Sequence, residues 1–399
     1  MAYRDDILAL SPAHLYIFDG DYVDTVAANN GTNSGFAASS SITEDATNSV
    51  RCSVKSQRVT IPDSALINGA RSAKGVGGWV RLNSVQLPPK SIYGEGSTSQ
   101  QFRFVMWAGN TLMLDIVDGA DVYQAYSDRV LQPNRTYHIF ALARGGAEFE
   151  LYVDGVLQSV TNPSPPVFTN TTVDSGLPIE FGDPAGATEV GNATVLLNGA
   201  EACDYAYWAH FADANVPTGA QIREELFEKG AVPEVTITNQ AGLDALANTV
   251  RPDVPLCIRV DVAGSLTLTA DNVTFDPLAS IHVQYTGTGT LTWINTNGSN
   301  ASIGSAPNGT INLVTPATLT VNDLVAGSEI RFFEAGTTNE IAGVESSGTS
   351  FGTSTQVSAV DIRIMRQGYQ YKVVKNVDMT QGNVSVVAGQ IVDRQFRNP

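Results

Sequence analysis

Residues Tyr137 to Leu157 read YHIFALARGGAEFELYVDGVL and contain two runs in which apolar side chains recur at every second position. This period is typical of a half-buried β-strand, and a Gly-Gly pair between two such runs is typical of a hairpin turn. A second turn is predicted at Asp154-Gly155, because glycine adopts a positive φ without steric cost. The stretch therefore predicts a β-hairpin whose core-facing side chains are Ile139, Ala141 and Ala143 on the first strand, then Phe149, Leu151 and Val153 on the second.

Strand signals of the same kind recur on both sides of this hairpin, separated by turn residues. Short strands spaced by about 8–12 residues indicate a β-sandwich or jelly roll. A short amphipathic helix is predicted after them, where Thr218 and Gln221 form a capping box ahead of Ile222 and Leu226. The predicted strands lie around Leu15–Ile17, Val59–Ile61, Gly75–Leu82, Phe102–Trp107, Leu112–Ile116, Val122–Tyr126 and Tyr205–Phe211.

The composition changes from Glu234 onward. TNQAGLDALANTV predicts a short helix that ends at Arg251-Pro252 and turns Leu243, Leu246 and Val250 inward. Many short apolar runs follow, separated by Gly, Asn, Thr and Ser, with almost no charge between Pro277 and Leu319. Such rungs are typical of a solenoid or of a sheet that stacks between chains. No fixed period is visible, so an ordinary sandwich is an equal alternative.

The last part, Val325 to Pro399, predicts a third group of strands. They are expected at Ile330–Phe332, Glu340–Val344, Val360–Ile364, Tyr369–Val373 and Val384–Val386. The sequence thus predicts an all-β protein in three parts. These are a jelly roll at 1–232, a strand-rich middle segment with a short leading helix at 233–324, and a small β-sandwich at 325–399.

The composition excludes several classes of partner and of binding site. The chain has 399 residues and a formal charge of −17, which repels phosphate and disfavours both nucleic acid and anionic lipid as partners. Cys52, Cys203 and Cys257 lie too far apart for a zinc site or a disulfide framework, so buried thiols in a reducing cell are expected. No signal peptide or transmembrane segment is predicted.

The order of several motifs resembles a laminin-G-like, concanavalin-type jelly roll. FDGD at 18–21, GGWVRL at 77–82, TYHI at 136–139, YVDGV at 152–156 and the helix pattern A-x-I-x-x-E-L at 220–226 occur in that order. Separately, AGSEIRFFEAGTTNEIAGVESSGTSF at 326–351, DIRIMRQGYQY at 361–371 and DRQF at 393–396 resemble small β-sandwich modules of phage virion proteins. The first resemblance implies a lectin-like fold, and the second implies a virion component.

Catalytic and metal-binding patterns are weak. Jelly-roll glycosidases need two carboxylates at a set separation. The candidates Glu148 and Glu150 lack the E-x-D-x-x-E pattern, and alternation places both on the outer side of their strand, so we expect no enzyme. Asp19, Asp21 and Asp24 do not match an EF-type calcium loop, although the resemblance leaves calcium bound between two loops as an alternative without assigned residues. The four histidines, His14, His138, His210 and His282, are interpreted as structural.

Exposed aromatic side chains are the remaining site candidates, because a sugar ring stacks on the flat face of Trp or Tyr. Trp107, Tyr123 and Tyr126 are predicted to bind ligand. The predicted function is that of a phage virion component, a capsid decoration fibre or a tail fibre. It would assemble in the host cytoplasm and, from the virion surface, present a lectin-like domain to host or environmental glycans. Other virion proteins and a homo-oligomer, for example a trimer, are the expected partners. A carbohydrate-cleaving jelly roll and a purely structural cement protein are the alternatives.

Overall fold

The structure is a computed structural model. It describes residues 3–44, 46, 48–52, 57–62, 73–82, 90–97, 100–106, 111–118, 121–144, 148–159, 179–182, 203–379 and 383–393. Contacts divide the chain into two compact units. Unit 1 comprises residues 1–236, 253–259 and 277–281, and unit 2 comprises residues 237–252, 260–276 and 282–399. The division into three parts at 232 and 324 stays a prediction.

Fifteen strands of unit 1 form two antiparallel sheets, as an all-β jelly roll requires. The strands are β1 His14–Tyr16, β2 Thr32–Ser34, β3 Ala37–Ser40, β4 Asn48–Cys52, β5 Arg58–Ile61, β6 Ala73–Leu82, β7 Lys90–Ser97, β8 Gln100–Met106, β9 Thr111–Asp118, β10 Asp121–Val130, β11 Arg135–Arg144, β12 Glu148–Val153, β13 Val156–Leu157, β14 Ile179–Gly182 and β15 Cys203–Ala212. The first sheet has the order β13-β12-β11-β6-β15-β4-β3, with β1 also paired to β15. The second has the order β10-β9-β8-β7-β14-β5-β2.

The predicted hairpin is confirmed in its strands and its faces. β11 and β12 pair antiparallel, with Ala141 opposite Leu151. All six predicted core-facing side chains belong to the main hydrophobic core. Asp154 and Gly155 both have positive φ, of 50° and 69°, as the central residues of a tight hairpin turn of the primed type do. The predicted Gly-Gly turn lies outside the described residues.

The main core of unit 1 lies between the two sheets. It takes side chains from both, including Tyr137, Tyr205 and Trp208 from the first sheet and Tyr93 and Phe104 from the second. Close approach of strands needs glycine in β6, the central strand of the first sheet. A Cβ on Gly77 would lie 2.2 Å from the backbone oxygen of Ile139, so no larger residue fits there without movement of the backbone.

The outer side of the first sheet is covered by helices. The helices are α1 Tyr3–Ala9, the 3-10 turn Asp213–Asn215, and α2 Gly219–Gln221, which continues as a π-helical segment Ile222–Glu228. The predicted capping box of Thr218 and Gln221 is present. Ile222 and Leu226 are buried, as predicted, in a second core cluster that also holds Trp79 of β6. Helix α1 was not predicted, because its seven residues bury only three side chains.

Strands in the middle of the chain pair with each other in parallel, so the ladders do not need a second chain. Its elements are β16 Pro233–Ile237, α3 Gln240–Asp244, β17 Val250–Arg251, β18 Leu256–Val260, β19 Leu266–Asp271, β20 Thr274–Phe275, β21 Ile281–Tyr285, β22 Thr290–Thr296, β23 Gly304–Ser305 and β24 Thr310–Val314. Leu266 pairs with Leu291, and Leu291 pairs with Ile311, both in parallel. The solenoid alternative is therefore the one observed. Successive rungs are about 20 to 25 residues apart, and this variation hides the period.

The helix predicted in TNQAGLDALANTV is shorter than expected. It covers Gln240–Asp244, and Leu243 is buried as predicted. The expected inward position of Val250 is wrong, because this residue is 71% exposed. Val250 belongs to β17, where the chain is extended, so the helical spacing that placed it beside Leu243 does not apply.

The C-terminal part of unit 2 is a sandwich of two small sheets. Its strands are β25 Ala317–Asn322, β26 Glu329–Glu334, β27 Glu340–Val344, β28 Ser350–Thr355, β29 Ala359–Met365, β30 Lys372–Asp378 and β31 Val384–Val387. The sheet β28-β25-β31 and the sheet β27-β26-β29-β30 enclose a core that includes Leu319, Phe332 and Ile362. The strand predicted at Tyr369–Val373 begins later, at Lys372, and β28 was not predicted.

Cys52, Cys203 and Cys257 are buried and none forms a disulfide, as predicted. Among the described residues, no helix is long and apolar enough to cross a membrane.

Candidate functional site

Three neighbouring strands of the second sheet, β8, β9 and β10, carry a polar row on the side away from the core. Alternation in these strands directs Phe104, Leu114 and Ala125 into the core. The residues between them therefore face the other way. The register aligns Arg103 with Asp115, and Asp115 with Gln124, so three polar side chains lie next to each other across three strands.

These side chains form a continuous hydrogen-bonded chain. Arg103 Nε donates to Asp115 Oδ2 at 2.7 Å, and Gln124 Nε2 donates to Asp115 Oδ1 at 3.1 Å. Tyr126 Oη donates to Gln124 Oε1 at 3.2 Å. The Asp115 side chain is only 1% exposed, whereas that of Arg103 is 13% exposed. The carboxylate is therefore a fixed acceptor at the bottom of the row, and we call Arg103, Asp115, Gln124 and Tyr126 the polar row.

The ring of Tyr126 lies on an apolar floor. The register places Val105 opposite Met113, and Met113 opposite Tyr126, one step along from the charged residues. Val105 and Met113 are buried, and the half-buried Tyr126 packs against them. Burial, and then the charge of Asp115, raise the pKa of Tyr126 above its usual value, so its hydroxyl stays protonated at neutral pH. The arrangement offers a partly exposed aromatic ring beside groups that donate and accept hydrogen bonds.

The three residues predicted from the sequence are placed differently. Tyr126 belongs to the polar row. Trp107 lies outside the described residues. In the ladder between β9 and β10, Tyr123 pairs with Ile116 and Tyr126 pairs with Met113. The ligand-binding role of all three stays a prediction.

Sequence reasoning missed Arg103, Asp115 and Gln124. A signal for the first two was present, because Arg103 lies between Phe102 and Phe104 and Asp115 between Leu114 and Ile116. A charge between two core positions of a strand faces away from the core. What the sequence could not give was the register, and the register makes these residues neighbours.

Two aspartates of the acidic segment after β1, Asp19 and Asp24, accept hydrogen bonds from backbone amides. Asp24 Oδ2 lies 2.5 Å from His14 Nδ1, and Asp24 Oδ1 accepts the amides of Leu15 and Val26. Burial alone would raise the pKa of Asp24, but these hydrogen bonds hold it below its usual value. Asp19 accepts the amide of Asn48 at 2.6 Å. No three His, Cys, Asp or Glu side chains of the described chain are grouped as metal ligands would be.

The glycosidase candidates and the histidines lie elsewhere. Glu150 accepts the Tyr152 hydroxyl and alternates with Phe149 and Leu151, which face the core, as predicted. The His138 ring contacts Trp79 and Phe227 under the helices, and burial lowers its pKa to about 3. A neutral, buried imidazole in this setting is structural.

Comparison with known proteins supports the fold of unit 1. Residues 53–183 match the sequence profile of the Laminin_G_3 family, described as "Concanavalin A-like lectin/glucanases superfamily". A search of curated protein sequences finds no match. Among solved structures, the binding domain of Paraclostridial Mosquitocidal Protein 1 is 12% identical with a TM-score of 0.43, and the match covers 53% of this chain and 50% of that one.

Two further structures are similar to this chain at the same level. Domain 4 of AbnA, an extracellular arabinanase from Geobacillus stearothermophilus solved with arabinotriose, is 15% identical with a TM-score of 0.41, and the match covers 54% of this chain and 98% of that one. The ligand-binding domain of botulinum neurotoxin serotype D, solved with N-acetylneuraminic acid, is 12% identical with a TM-score of 0.40, and the match covers 55% and 51%. This chain spans about half the length of both toxin domains. The segment 53–183 is thus a laminin-G-like, concanavalin-type jelly-roll segment within an all-β chain.

Proposed function

We propose that the jelly roll of unit 1 is a carbohydrate-binding, lectin-like domain that uses the polar row. The observation that carries the proposal is the hydrogen-bonded chain from Arg103 through Asp115 and Gln124 to Tyr126. A sugar presents a C–H face that stacks on an aromatic ring and hydroxyl edges that both donate and accept. Guanidinium, carboxylate and amide groups supply complementary donors and acceptors in planar pairs. The superfamily matched by residues 53–183 consists of lectins and glucanases, which agrees with this ligand class.

Asp115 and Arg103 are assigned positioning and hydrogen-bonding roles, and Tyr126 is assigned the stacking role. Asp115 accepts a charge-assisted hydrogen bond from Arg103, whose Nη2 lies 2.6 Å from Asp115 Oδ2, so the carboxylate is held in one orientation. Because Gln124 is bonded to both Asp115 and Tyr126, its amide orientation is fixed before ligand arrives. A preformed arrangement of this kind reduces the entropy that binding has to overcome.

The test is a glycan array followed by calorimetry with the strongest hit. Tyr126→Ala removes the ring and is expected to weaken binding by at least about tenfold, as loss of a stacking residue commonly does. Tyr126→Phe keeps the ring and removes the hydroxyl that donates to Gln124, so it should weaken binding less. Tyr371→Ala in unit 2 is the matched control, because Tyr371 is 56% exposed and distant in sequence. Equal loss in the control, or no change with Tyr126→Ala, contradicts the assignment.

We propose that the domain binds without cleaving. The polar row contains a single carboxylate, Asp115, whereas retaining and inverting glycosidases both require two. The expected result is that no product appears when the array hit is incubated with the protein and analysed by mass spectrometry. Release of shorter glycans, abolished by Asp115→Asn, would establish a carbohydrate-cleaving jelly roll instead.

We further propose that the chain is a component of phage particles, on the capsid or the tail, assembled in the host cytoplasm as a homo-oligomer. The support is the resemblance of 326–351, 361–371 and 393–396 to phage virion modules, together with the two-sheet sandwich found over this region. Mass spectrometry of purified particles should detect the chain, and light scattering should give a mass above that of one chain. A monomer absent from particles contradicts the proposal without affecting the glycan site, and capsid binding with a silent glycan array favours a cement protein.

A further inference from the structure

A second concave site lies in unit 1, away from the polar row. The cavity has a volume of about 400 Å³, within the range of small-molecule pockets. Its walls come from β6 and β11, from the turn before β11, and from residues 232–234 and 253–255. All these residues belong to unit 1. We call this cavity the cleft, and its principal lining side chains are Trp79, Arg81, Asn134, Arg135, Val232 and Asp253.

Both arginine side chains that line the cleft are paired with carboxylates before any ligand binds. Arg81 Nε donates to the buried Asp204 at 2.7 Å. Arg135 Nη2 donates to Asp154 at 2.8 Å, and its Nη1 contacts Asp253. Because each guanidinium already has a carboxylate partner, neither attracts a phosphate or a carboxylate strongly. The electrostatics therefore favour an uncharged ligand.

The cleft nevertheless offers hydrogen-bonding groups without partners. The Arg135 side chain is 4% exposed, and within the described chain its Nε has no hydrogen-bond partner. A buried donor of a charged group is costly to leave in this state, and a ligand oxygen that reaches it removes that cost. The side-chain groups of Gln132, Asn134 and Thr136, which also line the cleft, make no hydrogen bond to other described residues.

An apolar wall completes the cleft. Ile42, Val254 and Pro255 line it beside the polar side chains named above. A ligand that matches both surfaces has an apolar face and hydroxyl or amide edges, which are properties of an uncharged sugar. We propose that the cleft binds an uncharged monosaccharide unit, as a second carbohydrate subsite of unit 1 that does not share residues with the polar row.

The experiment uses the full chain with labelled isoleucine and valine methyl groups. Methyl β-D-glucopyranoside, methyl β-D-galactopyranoside and N-acetylglucosamine are titrated while the methyl resonances of Ile42 and Val254 are followed. At least one of these neutral sugars is expected to cause saturable shifts with a Kd of about 1 mM, the affinity typical for so few ligand atoms. Glucuronate and glucosamine, which carry charge, are expected to shift these resonances less.

Two variants localise the binding. Val232→Trp fills the cleft from a residue that is 45% exposed and should weaken binding by at least about tenfold. Asn134→Gly tests the same site if the first variant does not fold, because Asn134 has φ of 61°, which glycine adopts without strain. Val156→Trp is the matched control, since Val156 is 49% exposed and does not line the cleft.

The outcomes separate this site from the polar row. Tyr126→Ala should leave the Ile42 and Val254 shifts unchanged, and Val232→Trp should leave array binding at the polar row unchanged. Absence of shifts with all three neutral sugars at tens of millimolar overturns the proposal, as does a stronger response to glucuronate or glucosamine. Shifts confined to Val105, which lies beside Tyr126, also overturn it and leave the polar row as the sole carbohydrate site among the described residues.

Discussion

The jelly roll of unit 1 and the rungs of unit 2 satisfy their polar groups in opposite ways. In unit 1, Asp204 is fully buried and binds both Arg51, at 2.6 Å, and Arg81. In the rungs, uncharged side chains form hydrogen bonds with each other, for example where Asn272 Nδ2 donates to Asn248 Oδ1 at 2.7 Å. Buried charge thus satisfies part of the polar groups of unit 1, whereas amides and hydroxyls, with exposed carboxylates such as Asp271, satisfy those of the rungs.

The difference follows from topology. Arg51 and Asp204 are 153 residues apart, because an antiparallel jelly roll joins distant strands. A buried ion pair favours one register, since a slipped strand would leave a charge without a partner. In the rungs, each strand pairs with the strand of the next turn, and equivalent positions stack on each other. Neutral amides suit that arrangement, because like charges stacked on neighbouring rungs would repel.

The largest effect on stability is expected when the charge of Asp204 is removed. Asp204→Asn keeps the size of the side chain but removes the carboxylate that pairs with Arg51 and Arg81. Asp204 is buried, but the side chains of Arg51 and Arg81 are 34% and 21% exposed, so water partly solvates them once the carboxylate is gone. The free energy of unfolding should therefore fall by about 1.5–3 kcal/mol. Urea denaturation at pH 7, with hydrogen exchange to report each unit separately, measures it. The loss should be confined to unit 1.

Glu345→Gln is the control for this variant. Glu345 pairs with Arg331 in unit 2, but the Glu345 side chain is 89% exposed. Exposed pairs contribute little because water screens them, so this control should unfold at the urea concentration of the wild type. If Asp204→Asn also unfolds at that concentration, buried charge is not what holds the jelly roll.

The same contrast explains which features the sequence could predict. Local patterns predicted the hairpin of β11 and β12, the capping box at Thr218 and the rungs, because alternation and capping depend on neighbours in the chain. Patterns of this kind cannot show that Arg51 meets Asp204. In the candidate site, Tyr126 was predicted from its exposure, but its partner Gln124 became recognisable only once the ladder between β9 and β10 was known.

The pH dependence of unfolding gives a second test, through a buried histidine of unit 1. Burial holds the pKa of His138 at about 3, below its usual value of 6.5, so the folded state keeps this histidine neutral. The contribution of neutral His138 to the free energy of unfolding is fully present above pH 6.5. It is lost as the pH falls toward 3, because in that range only the unfolded state binds the proton. The slope is about 1.4 kcal/mol per pH unit, so about 2–3 kcal/mol should be lost by pH 4.5.

His138→Phe tests this contribution, because phenylalanine preserves ring contacts with Trp79 and Phe227. Its unfolding free energy should fall less between pH 7 and pH 4.5 than that of the wild type, with the two proteins similar at pH 7. His210 of unit 1, whose pKa burial also lowers, accounts for part of the remaining slope. An unchanged slope in the variant would mean that His138 is protonated in the folded state.

A smaller effect is expected at the first rung, where a side chain replaces a strand. Gln240 Nε2 donates to the backbone oxygen of Thr269 at 2.8 Å, and Gln240 Oε1 accepts the Thr269 amide at 2.9 Å. The amide thus pairs with β19 as a neighbouring strand would. Gln240→Ala should cost about 1 kcal/mol and speed hydrogen exchange at Thr269. Gln370→Ala, a change at an exposed glutamine of the sandwich, should alter neither, and faster exchange throughout unit 2 would argue against a local cap.

The smallest expected effect is at the corner between rungs. Asn297 has φ of 48°, and its Nδ2 donates to Asp271 Oδ1 at 2.6 Å. Asn297→Gly tolerates this φ and loses only the hydrogen bond, so a loss of about 0.5 kcal/mol is expected for an exposed contact. Asn297→Val loses the same bond and adds the strain of a branched side chain at positive φ, about 1–2 kcal/mol more. Thermal melts of the two variants therefore separate backbone conformation from hydrogen bonding. If both variants melt together and well below the wild type, the amide contact stabilises the corner and the backbone does not select the residue.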